Sequence, residues 1–162
     1  MTILETRTLD WPNEAACAAT AASLASRPAL GHAFITLHGT LGAGKTTFTR
    51  HLLRALGVEG PIKSPTYAML EEYPLCPNPA RGHSARIAWH FDFYRFDDPH
   101  EWEDAGFRDI FAQDGLKLAE WPEKAALLLP ESDLGVHLVP GDGDARTATF
   151  EAHTERGRQL LP

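Results

Sequence analysis

Residues 39–46 read GTLGAGKT and hold the residue types that can bind a chain of phosphates. They satisfy the pattern G-x-x-x-x-G-K-[ST] with Gly39, Gly44, Lys45 and Thr46. Glycines allow backbone angles closed to other residues, so consecutive N–H groups can turn inward around anionic oxygens. The lysine supplies a mobile positive charge for the outer phosphates, and the threonine hydroxyl can ligate Mg²⁺. The pattern therefore predicts a loop that holds a nucleoside triphosphate.

Three further segments carry side chains that could complete such a site. Asp92 lies late in a predicted strand, where it could reach the shell of a magnesium ion or be an exposed strand acid. Thr66 follows Pro65, whose ring biases the preceding residue toward an extended conformation. Its hydroxyl could then approach the γ-phosphate, unless the segment is a plain turn. Glu120 could orient or deprotonate a water or join the metal's outer shell, and Trp121 could pack beside the nucleotide. The alternatives are a strand-end acid and a core tryptophan.

A strand and a helix must hold the phosphate loop between them. The apolar run AFITLH at 33–38, which ends before a glycine, predicts a buried strand. After the loop, the apolar residues Phe48, Leu52, Leu53 and Leu56 share one helical face, and Gly57 is a suitable C-cap. The start of this helix adds unpaired N–H groups and a positive dipole end to the loop.

The rest of the chain alternates between predicted strands and helices. A helix is expected over 12–28, with Asp10 or Asn13 as its cap. The other expected elements are a strand at 66–73, an exposed loop at 74–86, a strand at 87–96, short helices within 98–111, a strand at 115–121, a short helix at 122–129 and a hairpin at 134–153. The last nine residues show no evident order.

Composition limits the function classes. The 162 residues include 15 Lys plus Arg against 22 Asp plus Glu, a net charge of −7, so this domain is not expected to grip nucleic acid by itself. No apolar run is long enough for a membrane span, and the N-terminus lacks a signal peptide, which predicts a cytoplasmic protein. Cys17 and Cys76 are expected to be free thiols, and the histidine spacing does not predict a structural metal site.

The loop alone does not define the reaction. The chain lacks the N-K-x-D motif of a Ras-type GTPase, as well as the length and signature motif of an ABC-type ATPase. A small P-loop kinase that phosphorylates a small molecule matches the chain in size and stays as the alternative. Such kinases need several lid arginines, for which Arg81 and Arg86 are the candidates.

Four segments in order, GTLGAGKTTFTR, KSPTY, HFDFYR and AEWPE, resemble the bacterial TsaE (YjeE) family over roughly residues 8–150. Proteins of that family are small ATPases required for the threonylcarbamoyladenosine modification of tRNA, next to the anticodon. The resemblance implies ATP and Mg²⁺ as cofactors, TsaB and TsaD as partners, and tRNA contacted mainly through those partners. The chain departs from the family at Thr40, where an acidic residue is common, and in its longer, proline-rich 74–86 loop.

The resemblance also implies roles for individual residues. It assigns the metal role to Asp92 and a switch role to Thr66, and it favours functional roles for Glu120 and Trp121. The expected catalytic residues are Lys45, Glu120 and Thr66. The expected metal ligands are Thr46, Asp92 and Glu120, and the expected nucleotide-binding residues are Gly39, Leu41, Gly42, Ala43, Gly44, Lys45, Thr46, Thr47 and Trp121.

The predicted fold is α/β, with a P-loop NTPase-like, mostly parallel central sheet flanked by helices, antiparallel edge strands and a C-terminal hairpin. Residues 1–153 are expected to form a single ATPase domain and residues 154–162 a flexible tail. The sequence places no arginine in cis to neutralise the transition state, a group that is worth roughly 10³–10⁵ in rate. We therefore expect slow ATP hydrolysis alone and faster turnover with partners, with hydrolysis driving or resetting the TsaB–TsaD assembly.

Overall fold

The computed structural model describes residues 2–78 and 85–162, which build one seven-stranded sheet covered by helices. The strands are β1 (Glu5–Trp11), β2 (Phe34–His38), β3 (Leu70–Pro74), β4 (Ile87–Asp92), β5 (Leu116–Glu120), β6 (Leu134–Pro140) and β7 (Arg146–Ala152). The α-helices are α1 (Glu14–Ala25), α2 (Lys45–Ala55), α3 (Pro99–Asp104), α4 (Phe107–Ala112) and α5 (Glu155–Arg158), and two 3₁₀ helices span Pro28–His32 and Pro122–Ala125.

The strands lie in the order β1-β7-β6-β2-β5-β4-β3. The four central strands, β6, β2, β5 and β4, are parallel, whereas β1, β7 and β3 pair in the antiparallel sense. Parallel strands are buried on both faces, and β2 accordingly buries its first four residues. This arrangement confirms the predicted α/β fold with a mostly parallel centre, antiparallel edge strands and a C-terminal hairpin.

Each face of the sheet has its own hydrophobic core. On one face, α1 and α2 pack through Leu24, Phe48 and Leu52 against β2, β5 and β6. The other core is aromatic and joins Phe91 of β4 to Trp102 and Phe107 of the short helices. Adjacent residues of a strand point to opposite faces, so the two cores share the same strands. Because both faces are covered, chemistry is confined to the edge where the parallel strands end.

Three elements begin or end differently from the sequence prediction. The strand expected at 66–73 begins at Leu70, because the N–H of Met69 closes a turn onto the carbonyl of Pro65. The strand expected at 87–96 ends at Asp92. The segment after Trp121 forms a 3₁₀ helix. In the predicted 74–86 loop, residues 79–84, with Arg81, lie outside the described residues.

Both ends of the chain hold structure that the sequence did not predict. β1 pairs with β7 over its whole length, from Glu5 opposite Ala152 to Trp11 opposite Arg146. The expected flexible tail instead contains α5 and two buried leucines, Leu160 and Leu161. Arg27 donates hydrogen bonds to the carbonyls of residues 159 and 161, each at 3.0 Å. Contacts with residues far away in the sequence thus order β1 and the last segment, whose own sequences do not predict regular structure. Within the described part of the chain, no helix has the length and apolar character of a membrane span.

Candidate nucleotide-binding site

The glycine-rich loop connects the end of β2 to the start of α2. Gly42 and Gly44 have φ values of 81° and 106°, in the left-handed region that glycine adopts without strain. A Cβ on Gly39 would lie 2.7 Å from the carbonyl oxygen of Leu138, so this position also lacks room for a side chain. Gly44 is the N-cap of α2, and no side chain caps the helix. The first N–H groups of α2 therefore have no intrahelical acceptor and remain available to an anion.

Lys45 directs its ammonium group back into the loop. Its Nζ donates to the carbonyls of Gly39 and Thr40, the latter at 3.0 Å, and lies 4.0 Å from the ring centroid of Trp121. Burial lowers the pKa of Lys45, and the nearby Glu120 carboxylate opposes that shift. Trp121 itself has a positive φ of 54°, rare for a bulky residue. This backbone angle turns the chain where the indole ring covers the ammonium.

Glu120, the last residue of β5, is only 2% exposed. Its Oε1 and Oε2 accept from the Thr46 hydroxyl at 2.8 and 3.1 Å, and Oε2 also lies 2.6 Å from His90 Nε2. Because a carboxylate accepts hydrogen bonds, the Nε2–H of His90 is the donor in this contact. His90 is fully buried, and its Nδ1 has no hydrogen-bond partner among the described residues. The sequence prediction included Glu120 and Thr46 but not His90, which stands two residues before Asp92 in HFDFYR.

Asp92 ends β4 directly beside Glu120, its register partner on β5. It is also 2% exposed, and its Oδ2 accepts from the hydroxyls of Ser64 and Thr66, the latter at 3.1 Å. Its Oδ1 accepts from the backbone N–H of Tyr94 at 2.9 Å. The two carboxylates thus accept hydrogen bonds from separate sets of donors while lying at the same edge of the sheet. Sequence reasoning missed Ser64, although the KSPTY segment places a hydroxyl residue on each side of its proline.

One cavity of about 340 Å³ joins these groups. Its lining includes every predicted site residue except Gly39, which lies under the loop against Leu138. Three lining residues were not predicted: Ser64, Tyr94 and Arg146. The predicted residues that line it are Leu41, Gly42, Ala43, Gly44, Lys45, Thr46, Thr47, Thr66, Asp92, Glu120 and Trp121. A larger cavity of about 740 Å³ contains none of the predicted residues.

The donors at this cavity suit a magnesium ion. Mg²⁺ prefers oxygen ligands and is usually bound by one or two carboxylates together with substrate phosphates. Thr46, Asp92 and Glu120 offer a hydroxyl and two carboxylates at one edge of the cavity. In residues 2–78 and 85–162, no cluster of three or more His, Cys, Asp or Glu side chains could hold a metal by itself. A metal here would therefore need phosphate oxygens as well, as in nucleotide sites.

Known proteins resemble this chain in sequence. A family described as threonylcarbamoyl adenosine biosynthesis protein TsaE matches residues 11–148. The chain belongs to the TsaE family. The tRNA threonylcarbamoyladenosine biosynthesis protein TsaE of Haemophilus influenzae is 42% identical over 127 residues, covering 78% of this chain and 75% of that protein. The Bacillus subtilis protein of the same name is 34% identical over 126 residues, covering 78% of this chain and 73% of that protein.

The fold is shared as well. The crystal structure of Bacillus subtilis YdiB superimposes with a TM-score of 0.74 and 24% identity, covering 99% of this chain and 94% of that one. The family match and the two TsaE relatives confirm the resemblance to the TsaE family that the four motifs indicate. The TsaE match ends at residue 148, so it includes Arg146 but not α5.

Proposed function

We propose that this TsaE family member is a Mg²⁺-dependent ATPase that serves the threonylcarbamoyladenosine modification of tRNA. The relatives are named for that pathway. The observation that carries the ATPase proposal is the convergence of Lys45, Thr46, Asp92 and Glu120 on one cavity at the start of α2. TsaB and TsaD as partners, and a cytoplasmic location, remain predictions from the resemblance and the sequence.

The loop supplies the binding energy for the phosphate chain. Backbone N–H groups at the start of α2 and the positive end of its dipole favour an anion there. Lys45 adds a full charge, and its two carbonyl contacts can be exchanged for phosphate oxygens because its stem is flexible. Trp121 covers the ammonium and limits the access of water. These features bind the tail of a nucleotide without reading its base.

Thr46, Asp92 and Glu120 are the residues that would hold Mg²⁺, directly or through water. The ion supplies positive charge that offsets the charge developing on the outer phosphates. Glu120 is then suited to orient a water or accept its proton, since the hydrogen bond from His90 Nε2 to its Oε2, at 2.6 Å, fixes the position of the carboxylate. Its location at the end of a parallel strand is where α/β sheets bind their ligands.

The contacts of Thr66 support the proposed switch role, in which this residue reports whether the site is occupied. Thr66 and Ser64 both use Oδ2 of Asp92 as their acceptor. A ligand that competes for this oxygen therefore changes what holds the 64–66 segment. The segment lies at the cavity mouth beside Tyr67, which is 82% exposed. Occupancy of the site thereby alters a surface that a partner protein can contact.

The surroundings of Arg146 support the proposal that the isolated chain hydrolyses ATP slowly. Arg146 lines the cavity, but its guanidinium is committed to backbone carbonyls of the loop and the neighbouring turn. Of the two arginines proposed for a kinase lid, Arg86 does not line the cavity. The chain is therefore expected to need a group from a partner for rapid turnover.

Phosphate release tests this function. We expect slow release of inorganic phosphate from ATP with Mg²⁺, faster release when TsaB, TsaD and tRNA are added, and loss of turnover in Glu120→Ala with ADP binding retained. Transfer of a labelled γ-phosphate to a small acceptor would instead identify a kinase. An absence of stimulation by TsaB, TsaD and tRNA would contradict the role in tRNA modification, and full turnover in Glu120→Ala would remove Glu120 from the mechanism.

A further inference from the structure

Arg146, the first residue of β7, belongs to none of the four motifs but ties two loops together. Among the described residues, its guanidinium donates hydrogen bonds only to backbone carbonyl oxygens. On the phosphate loop, Nε donates to Ala43 at 2.9 Å and Nη2 to Gly42 at 3.2 Å. On the β6–β7 turn, Nη1 donates to Gly143 at 3.0 Å and to Ala145 at 2.8 Å. Four of its five N–H donors are therefore used to join the turn to the loop.

These contacts determine how two peptide groups of the loop face. A peptide group is planar and trans, so its N–H points away from its carbonyl. With the carbonyl of Ala43 held by Arg146, the N–H of Gly44 is turned to the opposite side. With the carbonyl of Gly42 held, the N–H of Ala43 is turned toward the carbonyl of Thr40, to which it donates at 3.0 Å. Arg146 thus fixes the orientation of these two N–H groups of the loop.

The loop needs such a restraint because of its composition. Gly42 and Gly44 have no side chains to pack, and glycine loses more conformational freedom on ordering than any other residue. Arg146 is itself well anchored, since it pairs with Trp11 of β1 and Pro140 of β6 in the sheet. The planar side chain of Arg146 therefore links the loop to a residue that the sheet holds in place. Ordering the loop before a ligand arrives lowers the entropy lost on binding.

We propose that Arg146 is a positioning residue for nucleotide binding. By donating hydrogen bonds to the carbonyls of Gly42 and Ala43, it keeps the phosphate loop in the conformation that binds the ligand. The inference rests on the proposed function, since it names a residue that prepares the same site. It differs from the role of an arginine that stabilises the transition state, because the guanidinium acts through the loop. It predicts an effect on nucleotide affinity that exceeds the effect on the chemical step.

The test compares Arg146→Met and Arg146→Lys with a matched control, Arg54→Met. Arg54 also donates to a backbone carbonyl, that of Val58, but on the exposed end of α2. We expect Arg146→Met to raise the Kd for ADP by about 10- to 100-fold, the loss of one to two charge-assisted hydrogen bonds to the loop. Arg146→Lys should show an intermediate loss, because an ammonium lacks the planar fork that reaches both carbonyls. The control Arg54→Met should bind ADP with wild-type affinity. In the two Arg146 variants, kcat should change by less than about threefold.

Two readouts keep the inference separate from a general loss of stability. Urea unfolding of each variant shows whether the fold is intact, and amide hydrogen exchange at Gly44, measured without nucleotide, should be faster in Arg146→Met than in Arg54→Met. If Arg146→Met does not fold, Arg146→Lys carries the same comparison. Wild-type affinity in both Arg146 variants, or a fall in kcat with unchanged Kd, would overturn the positioning role. If the wild type itself does not bind ADP, the proposed function fails instead.

Discussion

The Thr46 hydroxyl is predicted to contact both Glu120 and Mg²⁺. Replacing it with a methyl group removes both contacts, and two separate measurements then report on each of them. In the structure the hydroxyl donates to both oxygens of Glu120, at 2.8 and 3.1 Å. Thr46→Val keeps the branched shape of the side chain and removes the hydroxyl, both as a hydrogen-bond donor and as an oxygen ligand. Thr46→Ser keeps the hydroxyl and serves as the control. In the proposed site the same oxygen also ligates Mg²⁺.

The magnitude follows from what remains around Glu120. A hydrogen bond to a charged acceptor contributes about 1.5–3 kcal/mol. Since His90 still donates to Glu120, we expect the lower end, about 1.5–2 kcal/mol less free energy of unfolding in Thr46→Val. The backbone N–H groups are unchanged, so ADP should bind with wild-type affinity in EDTA. The gain in affinity that Mg²⁺ gives the wild type should disappear in Thr46→Val and persist in Thr46→Ser.

Calorimetric titration of ADP with Mg²⁺ and with EDTA, together with urea unfolding, measures both effects. An unchanged Mg²⁺ dependence in Thr46→Val would show that this hydroxyl does not ligate the metal. An unchanged free energy of unfolding would show that its contact with Glu120 adds nothing to stability. The ADP titration and the urea unfolding are independent, so metal ligation by Thr46 and its contribution to stability are tested separately.

Three further predictions concern the surroundings of the site. Gly39→Ala should lower the free energy of unfolding by about 2–3 kcal/mol in urea, because a Cβ would press on a backbone carbonyl of β6. Gly143→Ala, which meets nothing within 4 Å, should lose only about 1–2 kcal/mol from its positive φ. Burial and neighbouring positive groups lower the pKa of His38 to about 4, so the folded state binds fewer protons than the unfolded state between about 4 and 6.5. Stability should therefore fall as pH drops from 6.5 to 4, and His38→Gln should flatten that fall in unfolding titrations. Burial raises the pKa of Cys17 to about 12, so a thiol reagent at pH 8 should modify the exposed Cys76 far faster than Cys17.

Each of these predictions can be contradicted. Equal losses in Gly39→Ala and Gly143→Ala would mean that the steric contact is relieved by a small backbone shift. A wild-type slope of stability against pH in His38→Gln would assign the acid sensitivity to other groups. Two equally reactive thiols in the native protein would show that Cys17 is not protected.

The local pattern of the chain was sufficient to predict the phosphate loop and its flanking elements. The apolar run before Gly39 and the helical spacing after Lys45 depend only on neighbours in the sequence. The residues at the ends of two parallel strands, Asp92 and Glu120, could be assigned to the same edge because parallel strands end together. The resemblance to the TsaE family added Thr66 to this group.

Tertiary structure alone decided which groups hold these residues in place. Arg146 reaches the loop from 103 residues away, and His90 reaches Glu120 from the neighbouring strand. Similarly, β1 and the buried leucines of the last segment gain their order from partners at the opposite end of the chain. No spacing rule covers such contacts, because they depend on strand order and register. The sequence by itself therefore determined most of the groups that line the candidate site, and the fold determined the groups that orient them.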